Sequence, residues 1–319
     1  MTALLEALDL HMQFPAGRGR VVRALAGVDL AVMAGETLGL VGESGSGKST
    51  LGRALLRLER PTAGRVRAFG EDVTDLPERQ LRAGLRRRAA LVFQDPHQSL
   101  DPRLRIADAI AEPLEVHKVG TATQRRAQVE ALLQRVGLDP AVASRRPHAF
   151  SGGQLQRVGI ARALALDPAV VVADEAVSAL DVSVQAGIIN LFMDLQVERG
   201  LAYVFIAHDL KVVERISHRV AVLYLGRVVE LAPVAALFST PRHPYTRALL
   251  ASAPVPDPHR PLQPPVLRGE PPSPIAPPSG CPFHPRCPIA VAACAEHVPR
   301  LQVVGAGHTV ACDRLEVSA

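Results

Sequence analysis

The chain contains no tryptophan, and aromatic residues make up only 3% of it. So few rings argue against a single-stranded nucleic-acid platform, which works by stacking bases on aromatic side chains. No apolar run reaches the ~18 residues that a membrane span needs. The opening stretch MTALLEALDLHMQF carries acidic residues early and lacks a basic region followed by a long apolar run, so it does not read as a secretory signal. A soluble, cytosolic chain is expected. Cysteine is scarce as well, with four residues that all lie beyond residue 280. In a reduced cytosol such thiols are not expected to form structural disulfides. Internal repeats are absent. What the chain has in quantity is hydrophobic residues, 48%, with 21% charged, the balance of a globular protein. Its 319 residues allow one large domain or two ordinary ones. The net charge of +5 would suit an anionic partner, but the arginines are dispersed. The one knot, Arg86-Arg87-Arg88, reads as a solvated helix face.

The most informative stretch is GESGSGKST, formed by Gly42, Glu43, Ser44, Gly45, Ser46, Gly47, Lys48, Ser49 and Thr50. It fits G-x-x-x-x-G-K-[ST], with an apolar strand over residues 37–41 before it and a helix-compatible segment over 49–58 after it. Backbone N–H groups can wrap a triphosphate only where side chains leave room, which explains Gly42, Gly45 and Gly47. Lys48 can reach the β- and γ-phosphates, and the Ser49 hydroxyl can ligate Mg²⁺. The positive end of the helix dipole favours the same anion.

Around this loop the patterns alternate. Residues 4–10 and 28–33 read as strands, with a Gly/Arg-rich excursion over 14–20 between them. Phe14 there can stack on a nucleotide base or serve as an ordinary half-buried ring. A strand is expected over 64–69, a charged helix over 76–88, and a buried strand over 89–93 ending at Gln94. Two helices follow over 104–138, broken near Val119-Gly120. From Ser151 a second α/β stretch begins. Leu155, Val158, Ala161 and Ala165 recur at helical spacing, residues 169–173 form a continuous apolar strand, and Val184, Ile188, Leu191, Phe192 and Leu195 share a helical face. Residues 202–207 form the next buried strand. Strands and helices alternating in this way predict a parallel sheet with helical covers. Eleven of the 27 prolines fall between residues 253 and 281, which predicts an extended connector.

Polar residues gather at the carboxyl ends of these strands, where α/β sheets bind their ligands. Asp174 can hold Mg²⁺ through water, and Glu175 is placed to orient or deprotonate an attacking water. His208 can hold the γ-phosphate or the water, and Gln94 can contact Mg²⁺ or water; each alone would also suit a plain strand end. Ser151 is a helix N-cap, and Gly152-Gly153 ahead of Gln154 bares the N–H groups of a new helix as a second anion cradle. One chain is not expected to fold both cradles onto one triphosphate. The simple solution is two subunits head to tail, each site using one chain's phosphate loop and the other chain's serine–glycine cradle.

Together these residues resemble the ATP-binding subunit of an ABC transporter. GESGSGKST matches the Walker A motif, Gln94 the Q-loop, SGGQLQR from Ser151 the signature, AVVVADE through Asp174 and Glu175 the Walker B motif, SALD through Asp181 the D-loop, and His208 the switch histidine. FQDPHQSLDPR, DVSVQAGIINL, HPYTRALLASAPVPDP and GCPFHPRCP narrow the resemblance to the second ATPase subunit of oligopeptide/dipeptide importers. It implies a P-loop α/β core with an antiparallel β part and a helical insertion over about 96–160, all within residues 1–252. A connector at 253–280 and a small Cys module at 281–319 follow. It further implies ATP and Mg²⁺ as ligands, with Lys48 and the loop amides on phosphate, Ser49, Gln94 and Asp174 on Mg²⁺, and Glu175, His208 and Gln94 in catalysis. Asp181 and the signature residues would contribute to nucleotide binding. The implied partners are a sister ATPase or a second copy, two membrane permeases and an extracytoplasmic solute-binding protein, with the chain at the cytoplasmic face of the membrane and no nucleic acid bound. A soluble cassette acting on nucleic acid or the ribosome, or an importer of nickel or another small solute, is the alternative. Two departures stand out: Phe150 replaces the usual leucine of the signature, and Ala176 replaces the proline that usually follows the Walker B glutamate, which would loosen the turn that aims Glu175.

Cys281, Cys287, Cys294 and Cys312 are spaced C-x5-C-x6-C-x17-C, unlike the close pairs of zinc ribbons. Pro282 and Pro288 follow two of them, as in one ferredoxin-type ligand run. Four thiolates can close an iron–sulfur cluster. The family resemblance favours a structural [4Fe–4S] cluster, with zinc held partly by His284, His297 or His308, or four unrelated cysteines, left open.

Overall fold

Apolar runs become strands and periodic stretches become helices in the structure, a computed structural model that describes residues 2–252 and 269–315. In chain order the strands are β1 (Ala3–Pro15), β2 (Val21–Met33), β3 (Thr37–Val41), β4 (Ala63–Ala68), β5 (Glu71–Asp72), β6 (Ala89–Val92), β7 (Val170–Asp174), β8 (Ala202–Ile206), β9 (Arg219–Tyr224), β10 (Arg227–Pro233), β11 (Gln302–Gly305) and β12 (His308–Val310). Two compact units divide the chain. The first comprises Met1–Leu5, Val32–Thr37 and Arg67–Ala207; the second comprises Glu6–Ala31, Leu38–Val66 and His208–Ala319.

In the first unit β6, β7 and β8 run parallel, with Leu91 opposite Val172 and Val172 opposite Val204. Every residue of β7 and β8 is buried, as continuous apolar runs require of strands covered on both faces. Phe192, from the helix Val182–Arg199, meets Tyr203 and Phe205 of β8 edge-on at 5.4 and 5.7 Å. The two expected helices are Ile106–Val116 and Ala122–Arg135. They are separated where Lys118 and Gly120 take positive φ, and a Thr121–Gln124 capping box starts the second. The single charged helix expected over 76–88 is instead two, Glu78–Ala83 and Leu85–Arg88. Pro77 sits at the N-cap of the first, and Gly84, at φ −106° and ψ −87°, interrupts the helical ladder. The basic knot is used locally: Arg86 bonds both carboxylate oxygens of Glu78, and the Arg88 guanidinium lies 3.6 Å from the Phe69 ring centroid. The strand expected over 89–93 stops at Val92, leaving Phe93 46% exposed.

In the second unit β1 and β2 are neighbours joined by a tight turn, in which Ala16 N–H donates to the Arg20 carbonyl at 2.8 Å. The expected excursion is therefore shorter, and Phe14 belongs to β1, half-buried. β3 pairs in parallel with β9, Val41 opposite Val222. From β9 the pairing turns antiparallel, through β10 and β12 to β11. Residues 209–252 and the cysteine segment carry no strand in the sequence reading. Two signals were there to find: apolar runs on either side of Leu225-Gly226, whose positive φ angles of 45° and 73° make a two-residue hairpin turn. The hairpin β11–β12 comes from the cysteine segment and docks on β10, with Glu230 opposite Val310 and Ala311 N–H donating to the Val229 carbonyl at 2.8 Å. Glu230 on β10 is fully buried, and its carboxylate accepts from the N–H groups of Arg242 (2.8 Å) and His243 (2.9 Å) and meets His308 Nε2 at 2.7 Å. Of the proline-rich connector, residues 253–268 lie outside the described residues. Beyond them, the Pro274 carbonyl accepts the Arg23 N–H of β2 at 3.1 Å. Parallel strands with helices in one unit, and one parallel pair continued by antiparallel strands in the other, make up the expected mixed α/β class.

Candidate nucleotide site

The phosphate loop lies in the second unit, between the fully buried β3 and the helix Lys48–Leu55. Gly42, Gly45 and Gly47 all take positive φ, at 149°, 77° and 104°. A Cβ on Gly42 would collide with the Leu223 carbonyl, and one on Gly47 would come within 2.5 Å of the Ala24 carbonyl. Those two glycines are therefore demanded by the fold beneath the loop as well as by any phosphate above it. Gly45 has open space around it, as an anion approach needs. Lys48 is buried at the first helical position. Its ammonium donates to the carbonyls of Gly42 (2.8 Å) and Glu43 (2.9 Å) and to Ser46 Oγ (3.4 Å), so it is held across the mouth of the loop. Ser46 is buried and Ser44 exposed, while Ser49 and Thr50 sit half-buried on the first helical turn. His208 belongs to the same unit, exposed just after β8, and Asp209 beside it caps the helix Leu210–Ile216.

Two residues from beyond position 240 reach the loop, and neither carries a role in the sequence pattern. Tyr245 Oη accepts the N–H of Glu43 at 2.8 Å. The Arg286 guanidinium grips both Glu43 carboxylate oxygens, at 2.7 and 3.0 Å, and is itself only 5% exposed. Hydrogen bonding to Glu43 holds Arg286 above its ordinary pKa. Phe283 packs edge-on against Tyr224 at 5.3 Å and tilted against Tyr245 at 5.4 Å. The signal was visible as HPYTRALL and GCPFHPRCP, motifs whose partners only the folded chain supplies.

The strand-end polar groups of the first unit come together. Asp174 is buried as the last residue of β7. Glu175 follows with φ 46°, a conformation costly for a non-glycine residue and a mark of functional sites. Its N–H donates to the Ile206 carbonyl at 3.0 Å, and its Oε2 accepts from Gln94 Nε2 at 2.8 Å. Gln94, just after β6, thus addresses the Glu175 carboxylate directly. The turn at Ala176 holds without proline: Ala176 is buried, and both the N–H (3.1 Å) and Oγ (2.9 Å) of Ser178 bond to the Glu175 carbonyl.

Ser151 caps the helix Gly152–Ala163 in a capping box with Gln154. Gly152 is half-buried, whereas a Cβ on Gly153 would collide with Val184, so this second glycine serves helix packing as well as any anion. Asp181 is the N-cap of the helix Val182–Arg199. Bonds from the Val184 N–H and then the Ser183 hydroxyl hold its carboxyl below the usual carboxylate range.

Cys281, Cys287, Cys294 and Cys312 are free thiols that line one cavity of ≈ 310 Å³ with His284 and His297. Burial first, then neighbouring thiolates, pushes the pKa of Cys281, Cys287 and Cys312 up. Sulfur donors that repel one another as thiolates suit a cationic group. Among the described residues, however, no three His, Cys, Asp or Glu side chains are arranged to hold a metal ion.

Residues 25–178 match the ABC transporter family model, and residues 229–294 match that for the oligopeptide/dipeptide transporter C-terminal region. The chain is 56% identical over 312 residues to a probable peptide ABC transporter ATP-binding protein, y4tS, of Sinorhizobium fredii, covering 97% of this chain and 88% of that protein. The chain belongs to the peptide ABC transporter ATP-binding proteins. The oligopeptide transport ATP-binding protein AppF of Bacillus subtilis is 49% identical, with 97% and 96% covered. Among solved structures, the ATP-binding cassette MJ0796 bound to ADP and Pi superposes at a TM-score of 0.67 and 30% identity, covering 72% of this chain and 99% of that one. This ABC protein is accordingly an ATPase. Among the described residues, no helix is long and apolar enough to cross a membrane.

Proposed function

We propose that this ATPase energises import of dipeptides or oligopeptides from the cytoplasmic face of a membrane. It would work with two permeases, an extracytoplasmic solute-binding protein, and a sister ATPase or second copy. The observation that carries the reading is the pairing, in one chain, of a cassette match with a match to the oligopeptide transporter C-terminal region. Lys48 and the loop amides hold the phosphates, Ser49, Asp174 and Gln94 hold Mg²⁺, and Glu175 takes a proton from the attacking water. Gln94 and His208 respond to the γ-phosphate. Phe14 stacks on the nucleotide base, and Asp181 and the cradle of Ser151, Gly152, Gly153 and Gln154 complete the site of the partner subunit. Positioning and electrostatics then do most of the catalysis. Purifying the tagged chain from gently solubilised membranes tests this. Two multi-span permeases and a second ATPase are expected; ribosomal or nucleic-acid-bound proteins with no membrane subunit would overturn it in favour of a soluble cassette. A nickel or other small-solute importer would instead appear as permeases whose binding protein ignores peptides.

We also propose Cys281, Cys287, Cys294 and Cys312 as the ligands of a structural [4Fe–4S] cluster, with zinc as the alternative. The four thiols around a single cavity support this. Iron and sulfide analysis of anaerobically purified protein should find both elements; folded, metal-free protein would sink the idea.

A further inference from the structure

Glu43 places a carboxylate one residue into the phosphate loop, its own carbonyl bonded to the Lys48 ammonium at 2.9 Å. A carboxylate beside a bound triphosphate opposes binding, unless something neutralises it and holds it aside. Arg286 does both: its fork takes both carboxylate oxygens, and with the Arg286 side chain 5% and the Glu43 side chain 24% exposed the pair is partly shielded from water. The segment that delivers it, between Cys281 and Cys287, is wedged by Phe283 against Tyr224 and Tyr245, and Tyr245 in turn accepts the Glu43 N–H. A far part of the sequence thus grips one phosphate-loop residue through both its side chain and its backbone.

We propose that Arg286 is a positioning residue for ATP binding, which neutralises Glu43 and holds the phosphate loop in its anion-accepting form. The inference rests on the phosphate loop being the ATP site. MgATP affinity of the full chain is the readout, with steady-state KM and kcat alongside. Arg286→Met keeps an apolar stem against the aromatic rings but loses the charge. It should weaken MgATP binding about tenfold, the effect of one uncompensated carboxylate near a polyphosphate, and raise KM with kcat nearly unchanged. Arg286→Lys should recover most of the affinity. Glu43→Gln removes the carboxylate and supplies the background for the double variant. In that background Arg286→Met should cost less than about twofold, because the charge it answered is gone. Should Arg286→Met fail to fold, Arg286→Gln, which keeps amide donors toward Glu43 without the charge, carries the same comparison. An equal loss in both backgrounds, or no loss in the parent, would overturn the proposal. Lys48→Ala separates the two readings: if it bound MgATP normally, the site assignment would fail rather than the role of Arg286.

Discussion

Glu175→Gln should retain MgATP binding and lose turnover by on the order of 10²–10⁴-fold, the usual contribution of a positioned general base. The substitution is nearly isosteric, and its amide oxygen can still accept from Gln94 Nε2, which bonds the native carboxylate at 2.8 Å. The Ile206 and Ser178 bonds that fix the turn use the backbone of residue 175, so they survive. What disappears is the group able to take a proton from water. Single-turnover hydrolysis and equilibrium nucleotide binding, measured on the same preparation, separate the two effects. Near-parental hydrolysis would remove Glu175 as the base and leave His208 to be tested next.

The largest expected effect on stability lies far from any phosphate. Glu230→Ala should destabilise the fold by about 2–6 kcal/mol, from two buried main-chain donors left unmade at about 1–3 kcal/mol each. The native carboxylate has no exposure, and it answers two main-chain N–H groups as well as the His308 ring. Alanine would strand both N–H donors in a dry site, where each unmade bond carries its full desolvation cost. Glu230→Gln, which keeps one oxygen acceptor, should cost less. Denaturant midpoints for the two variants check this; an alanine variant within about 1 kcal/mol of the parent would mean that water enters and replaces the carboxylate. Because His308 lies on β12, the same variant should loosen the hairpin carrying the end of the cysteine segment.

Much of the fold was legible because its signals are local. β7 and β8 were visible as uninterrupted apolar runs, since a strand covered on both faces has no polar side to show. The long helices were visible through their periodicity, and the break between two of them through Gly120. The helix expected over 76–88 misled because charge pattern alone cannot show that Pro77 and Gly84 divide it. The strands within residues 209–252 are not legible in the sequence because short antiparallel strands beside a hairpin turn carry a weaker pattern than a parallel core.

By itself the sequence determined the chemical inventory: a phosphate loop, a strand-end carboxylate pair, a capped signature helix and four late cysteines, all encoded at short spacing. The comparisons place that inventory in a family, and the order of its motifs already pointed there. Only the tertiary structure decided which distant residues answer one another. It set Gln94 on Glu175, packed Gly153 against Val184, and brought Arg286 and Tyr245 to Glu43 across some two hundred residues of chain. The physical reason is that a buried charge or a backbone carbonyl constrains whatever folds beside it, and neighbours in space leave no spacing rule in the chain.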